Sequence, residues 1–276
     1  MAFPRIHHPL AFTFGVLGNI ISLFVLMAPI PTFYRIWKKK STEGFHSLPY
    51  LVTLFNSTLW LYYALIKGNA ILLITINSIG CLLETVYIVL YLAYAPRHVR
   101  KSTVKYFVLM NLGAFSFFIL VARYATHDRQ TRAMVLGWIC VAVSVCVFAA
   151  PMSILRQVIR TKSVEFMPFS LSLTLTLGAV MWFFYGLFSH DKCIYLPNII
   201  GFFLGVVQML LYALYRRAEA VIILEKVPPK SLVDTKVVDI PGEDEAAAGK
   251  EEVKADKPGA EDEDDDTTGP NGDSAV

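Results

Sequence analysis

An all-α membrane protein is the fold class this sequence predicts, with seven transmembrane helices arranged as two parallel three-helix repeats joined by a linker helix (3+1+3). Three observations carry the prediction. The chain is 55% hydrophobic and only 17% charged, far from the balance of a soluble domain. Seven apolar stretches fill its first 215 residues, each approaching the ~20 residues that a helix needs to cross about 30 Å of hydrocarbon. The front of that region is repeated in its back half at a nearly constant offset.

The stretches come in order. The first, residues 9–31, lacks a basic leading segment and a small-residue cleavage site, so it reads as a retained helix and not a signal peptide. Residues 48–66 and 71–94 complete a first three-helix unit bounded at 10–97. The fourth stretch, 106–121, is the shortest and needs its flanks to span; it lies in a linker segment, 98–130. Residues 134–153, 168–188 and 194–215 form the second unit, 131–217. Composition then changes sharply. Residues 221–276 hold 16 of the 22 acidic and 6 of the 25 basic residues, a net −10, which leaves +13 on the body. The tail from 218 onward, including the acidic run 261–266, is too polar to bury a core and is expected to be disordered in the cytosol.

Lysine and arginine set the orientation. Fifteen follow helices one, three, five and seven, among them Arg35, Lys38–Lys40, Arg97 and Arg156; six lie on the other side. The N-terminus is therefore expected outside and the tail in the cytosol, although Arg123, Arg129 and Arg132 run against this. Cys81, Cys140 and Cys146 fall in apolar helices and Cys193 stands alone near the outer surface, with no metal-ligand spacing.

The repeat is the most informative feature. Ala28-Pro29 recurs as Ala150-Pro151 and Lys40-Ser41-Thr42-Glu43 as Lys162-Ser163-Val164-Glu165, both 122 residues on. Trp60 matches Trp182 and Tyr63 matches Tyr185 at the same offset. After a slip of one residue, Asn77 matches Asn198, Gly80 matches Gly201 and Tyr94 matches Tyr215. Chance apolar similarity pairs Leu with Val, not Trp, Asn and Pro in one order. Three helices per unit is an odd number, so adjacent copies would point in opposite directions. Helix four restores the direction and makes the copies parallel, as in one class of transporters.

Polar side chains inside a membrane helix are expensive and tend to face a cavity or the bundle interior. Asn77, Trp60, Asn198 and Trp182 fall roughly 6–13 Å from the outer surface at ~1.5 Å per residue, so the pairs converge near the pseudo-axis. Amide groups donate to and accept from hydroxyls, and indole faces cover the apolar side of a pyranose ring. That is sugar-pocket chemistry. Pro29, Pro49, Pro151 and Pro168 stand near the inner ends, where kinks can act as hinges; Pro49 and Pro168 are equally compatible with ordinary helix starts. Tyr63 and Asp191 are candidates for an outer gate, Asp191 being also readable as a solvated loop charge. Glu84 is the only acid in a membrane segment, which favours passive transport over proton coupling. No nucleophile–base set, phosphate loop or metal motif is present, so neither an enzyme nor a cofactor is expected.

At these residues the chain closely resembles the plant SWEET sugar facilitators across about residues 10–217, in the strings GNIISLFVLMAPIPTF, KKKSTEGFHSLPY, LLITIN, FAAPMSIL, RTKSVEFMPFSLSL and LPNIIG. The resemblance implies a bidirectional, proton-independent plasma-membrane uniporter working by alternating access, with sugar and the lipid bilayer as partners, a homo-oligomer or a hetero-oligomer with related transporters, and no nucleic acid. It implies Trp60, Trp182, Asn77 and Asn198 as the sugar site, lined by Ser22, Asn56, Ser144, Val147 and Gly178, with the four prolines as hinges and Tyr63 with Asp191 as outer gate. The sucrose-preferring branch is the best match, except that Asn56 and Gly178 stand where Ser is common there. A PQ-loop-type carrier of another metabolite would need Glu84 and follow a pH gradient. A seven-helix receptor has no 3+1+3 repeat.

Overall fold

The computed structural model describes residues 9–164 and 169–226; Pro168 and the acidic tail from 227 on lie outside them. Helix α1 (Pro9–Met27) ends where Pro29 and Pro31, both lacking an amide hydrogen, interrupt the ladder. The break is a tightened turn, with the Ala28 N–H donating to Val25 O at 3.1 Å. The chain resumes as α2 (Ile30–Lys39), which buries Phe33 and Ile36 and exposes Tyr34 and Trp37. Helix α3 (Leu48–Lys67) carries Pro49 in its first turn, and α4 (Ile71–Tyr94) follows a short loop. A single rod then runs through α5 (Arg97–Phe107), a π-helical segment (Val108–Ala114) and α6 (Phe115–Ala125). Helix α7 (Arg129–Val147) starts at Asp128, whose carboxylate accepts from the Thr131 N–H at 2.7 Å, as an N-cap should. It breaks at Phe148 into α8 (Ala149–Thr161), where Pro151 stands in the first turn. Helices α9 (Phe169–Phe188) and α10 (Lys192–Lys226) complete the fold.

The first and fifth rods therefore extend well beyond the apolar stretches. Arg35, Lys38 and Lys39, expected in a loop, lie on α2, and Arg156 and Arg160 lie on α8. Hydropathy marks where a helix leaves hydrocarbon, not where it stops; an amphipathic end stays helical past the interface. Both extensions end alike. Lys40 (φ 52°) and Lys162 (φ 57°) adopt the left-handed conformation, and each ammonium donates at 3.1 Å to a tyrosine hydroxyl one repeat apart, Tyr94 and Tyr215. The short fourth stretch gains its length from α5: the rod covers 28 residues, Arg97–Tyr124.

Packing closes six helices into a ring. Helix α1 meets α4, α4 meets α3, α3 meets α7, α7 meets α10, α10 meets α9, and α9 returns to α1. Exchanging α1, α3 and α4 for α7, α9 and α10 maps the ring onto itself. The linker rod sits outside this ring against α3 and α7, held in part by Asn111, whose amide donates to Leu51 O at 3.3 Å. Among the described residues six helices are both long and apolar enough to cross a membrane. Helix α3 is long enough, but Asn56, Ser57, Thr58, Tyr62 and Tyr63 lower its hydropathy. Its polar face is turned inward, with Ser57 and Tyr63 at 6% and 4% exposure.

Candidate functional site

The ring encloses a cavity of about 470 Å³, within the ~300–1,000 Å³ usual for small-molecule sites. Ser22, Asn56, Trp60, Asn77, Ser144, Val147, Gly178, Trp182 and Asn198 all line it. The two halves present the same chemistry. Asn77 donates one amide hydrogen to Leu73 O at 2.8 Å, and Asn198 does the same to Ile194 O at 2.7 Å. Each is thereby held in one rotamer. Neither amide oxygen has a hydrogen-bond partner among the described residues, so both remain open to the cavity.

The indoles are fixed across the pseudo-axis. Trp60 Nε1 donates to Ser144 Oγ at 3.2 Å, and Trp182 Nε1 donates to Ser22 Oγ at 2.9 Å. Ser22 and Ser144 are themselves 122 residues apart, so each repeat supplies the serine that holds the other repeat's tryptophan. The symmetry is broken at the next residue. Ser144 Oγ donates onward to Asn56 Oδ1 at 3.4 Å, whereas the matching position is Gly178, which has no side chain to offer Ser22. A Cβ at Gly178 would meet only Ile21 Cγ2 at 3.4 Å, ordinary contact, so the space at Gly178 is open.

One end of the cavity is sealed. The Tyr63 hydroxyl donates to Asp191 Oδ2 at 2.7 Å, and the Lys67 ammonium donates to the same oxygen and forms an ion pair with it. Asp191 Oδ1 accepts from the N–H groups of Cys193 (3.0 Å) and Ile194 (3.4 Å), the pattern of an N-cap. At 5% exposure Asp191 is buried among these partners and anchors the start of α10, so it is not a solvated loop charge. Trp60 stands edge-on to Tyr63 with ring centroids 5.6 Å apart, and Trp182 edge-on to Tyr185 at 5.3 Å. Pocket and seal are thus in direct contact through Trp60 and Tyr63, and Trp182 repeats the ring geometry with Tyr185 in the other half. Behind them Gly137 takes the Cys193 thiol against its backbone, and Gly15 takes Leu72 and Tyr185. Cys193 is buried there at 7% exposure.

Toward the opposite end the lining continues through Thr53, Phe148, Pro151, Thr174, Gly205 and Gln208. Pro29 and Pro151 stand at the helix breaks, and the Tyr87 hydroxyl caps the freed Leu26 carbonyl at 3.0 Å. Pro49 occupies an ordinary helix start. Three participants escaped the sequence reading. Lys67 is one of the six basic residues counted on the opposite side, with nothing in the sequence to link it to Asp191. Pro197 lies inside α10 next to Asn198 and lines the cavity; its signal was a proline within the seventh apolar run. Gln208 showed only as one amide in an apolar stretch. Near the proline end Arg35 and Lys39 pair with Glu43. Its carboxyl is held below the ordinary 4.5, chiefly by the Lys39 hydrogen bond. Glu84 is buried at 3% exposure, with Oε2 unpartnered among the described residues.

Comparison with known proteins points one way. The family model described as "Sugar efflux transporter for intercellular exchange" matches twice, over residues 12–99 and 134–220. A protein named Bidirectional sugar transporter N3, from Medicago truncatula, is 62% identical over 232 residues, covering 82% of this chain and 86% of its own. Bidirectional sugar transporter SWEET13 of Oryza sativa subsp. japonica is 58% identical over 221 residues, 80% and 74% of the two chains. A solved structure described as that of a eukaryotic SWEET transporter, at 3.7 Å resolution, superposes with a TM-score of 0.70 at 38% identity, covering 75% of this chain and 97% of that one.

Proposed function

The chain belongs to the MtN3/SWEET family, and from that premise we propose that it carries sugar in both directions across a membrane by alternating access. The observation that carries this reading is the paired pocket: two indoles and two amides around one cavity, joined directly to a seal at one end. Indole faces take the apolar side of a sugar ring, and the open amide oxygens take its hydroxyls. The affinity needed is small, since a millimolar site requires only about −4 kcal/mol, and a few net hydrogen bonds at ~1 kcal/mol each supply it.

Finer assignments belong to the same proposal. The carrier is passive, acts in the plasma membrane with its N-terminus outside, and forms homo-oligomers. The Asp191 end is the outer gate and Pro29 and Pro151 are inner hinges; Pro49 and Pro168 keep both of their readings. Sucrose is the preferred cargo, supported by the resemblance to the sucrose-preferring branch and by the open space at Gly178. Labelled sucrose and glucose flux in proteoliposomes, in both directions, tests this. Trp60→Ala with Asn198→Ala is expected to abolish flux; retained flux, or movement of neither sugar by the unaltered chain, sinks the reading. The buried carboxyl of Glu84 favours a second reading, a proton-linked carrier. In that case an imposed pH gradient would drive accumulation, and Glu84→Gln would stop it.

A further inference from the structure

The lining toward the proline end contains a polar group that the paired pocket does not use. Gln208 is 93% buried (7% exposure) and faces the cavity, yet its amide hydrogen-bonds no described residue. Its amide atoms are also not sealed off from solvent, unlike Glu84 Oε2. A glutamine buried in a helix bundle is ordinarily bonded to a neighbouring carbonyl or hydroxyl. Here the repeat gives an internal comparison. The matching residue in the first copy, 121 positions earlier, is Tyr87, and it is fully engaged: its hydroxyl donates to Leu26 O, and its ring stacks on Phe33 at 4.5 Å. The second copy leaves this position open to the cavity.

Two further polar residues on other helices line the same cavity, Thr174 on α9 and Thr53 on α3, each five residues past the start of its helix. Each spends its hydroxyl hydrogen on its own helix, Thr174 on Ser170 O at 2.8 Å and Thr53 on Pro49 O at 2.9 Å, so each offers only an acceptor. Gln208 supplies two donors and an acceptor. Gly205, one turn before Gln208, brings α10 tight against α9; a Cβ there would fall 2.0 Å from Thr176 Oγ1. Ten residues separate Gln208 from Asn198, about 15 Å of helix.

We propose that Gln208 forms, with Thr174 and Thr53, a second sugar-docking position in the vestibule, separate from the Trp–Asn pocket and occupied in transit. This rests on the reading of the chain as a sugar carrier. A sugar leaving the central pocket exchanges its hydrogen bonds in two steps, and weak successive sites favour passage over retention.

The test uses the full chain in proteoliposomes, with labelled sucrose as the probe. Gln208→Leu is expected to lower Vmax/KM about fivefold, the worth of roughly one hydrogen bond. The drop must be equal in both directions, as reversibility requires of a passive carrier. Sucrose affinity at the central pocket, followed by indole fluorescence quenching, should stay at the unaltered value. Gln208→Asn, which keeps a shorter amide, is expected to fall between the two, and it decides the matter if the leucine variant is not recovered folded. Unchanged Vmax/KM in the variants overturns the proposal. So does a fall in central affinity that tracks the fall in flux, because Gln208 would then serve the central pocket or the fold. If the unaltered chain moves no sucrose or glucose, the carrier reading itself fails.

Discussion

Replacing Asp191 with Asn should loosen the sealed end by an amount the geometry bounds. The carboxylate performs two jobs with two oxygens. Oδ1 caps α10 through Cys193 and Ile194, while Oδ2 holds Tyr63 and Lys67. Asparagine keeps an acceptor for the cap and removes the charge from the seal. A hydrogen bond to a charged group contributes about 1.5–3 kcal/mol and a neutral one about 0.5–1.5, so roughly 1–2 kcal/mol is lost at Tyr63. Lys67 adds little further penalty, because its side chain is 30% exposed and can turn to water. At 1.4 kcal/mol per tenfold, the closed-to-open ratio falls about 5- to 30-fold. Spin labels at Asn69→Cys and Ser189→Cys, on the two loops flanking the seal, read this as a new long-distance component in a double electron–electron resonance trace. Cys146, exposed on α7, is replaced by serine in that background. A distance distribution that does not move, or that tightens, would refute the assignment of the seal to the Asp191 charge.

Three further outcomes are expected. Gly137→Ala places a Cβ 2.5 Å from Cys193 Sγ and 3.0 Å from Tyr63 Cε2; overpacking of this kind costs about 1–3 kcal/mol, read as a lowered melting temperature that Cys193→Ala partly restores. Ser144→Ala should reduce sucrose flux more than Ser22→Ala, by about fivefold for the one extra hydrogen bond, because it strands both Trp60 Nε1 and Asn56 Oδ1; equal losses contradict the relay. For Glu43, the depressed carboxyl gives a sign: its contribution is complete above the ordinary 4.5 and is lost only as pH falls through the lower folded value. The melting temperatures of the unaltered chain and Glu43→Gln should therefore differ by a constant amount from neutral pH down to 5 and converge only in stronger acid.

Much of this architecture was legible because duplication writes a residue twice. Trp60 and Asn77 gained meaning from Trp182 and Asn198, and a lone copy would have suggested an interfacial anchor or a helix contact. Pairings between the copies left no such trace. Nothing in the spacing of Ser22 and Trp182, 160 residues apart, says that one holds the other. The helical extensions α2 and α8 were hidden because a charged face looks like a loop when hydropathy alone is read. The π segment was hidden because Val108–Ala114 carries no residue that demands it. Lys67 was visible as a charge, but its partner comes from the far end of the fold.

The unequal positions within the ring carry a consequence for cargo. Two separate copies of a single unit would have to accept every substitution on both sides of the axis. Once joined on one chain through α5 and α6, they are free to differ, as Asn56 and Gly178 do, and as Tyr87 and Gln208 do. Sucrose has no twofold axis. Inside a strictly symmetric chamber it would bind equally well in two opposed poses, and neither would be selected. Unequal walls give the chamber a head and a tail, so that an asymmetric disaccharide such as sucrose would meet different groups at its two rings.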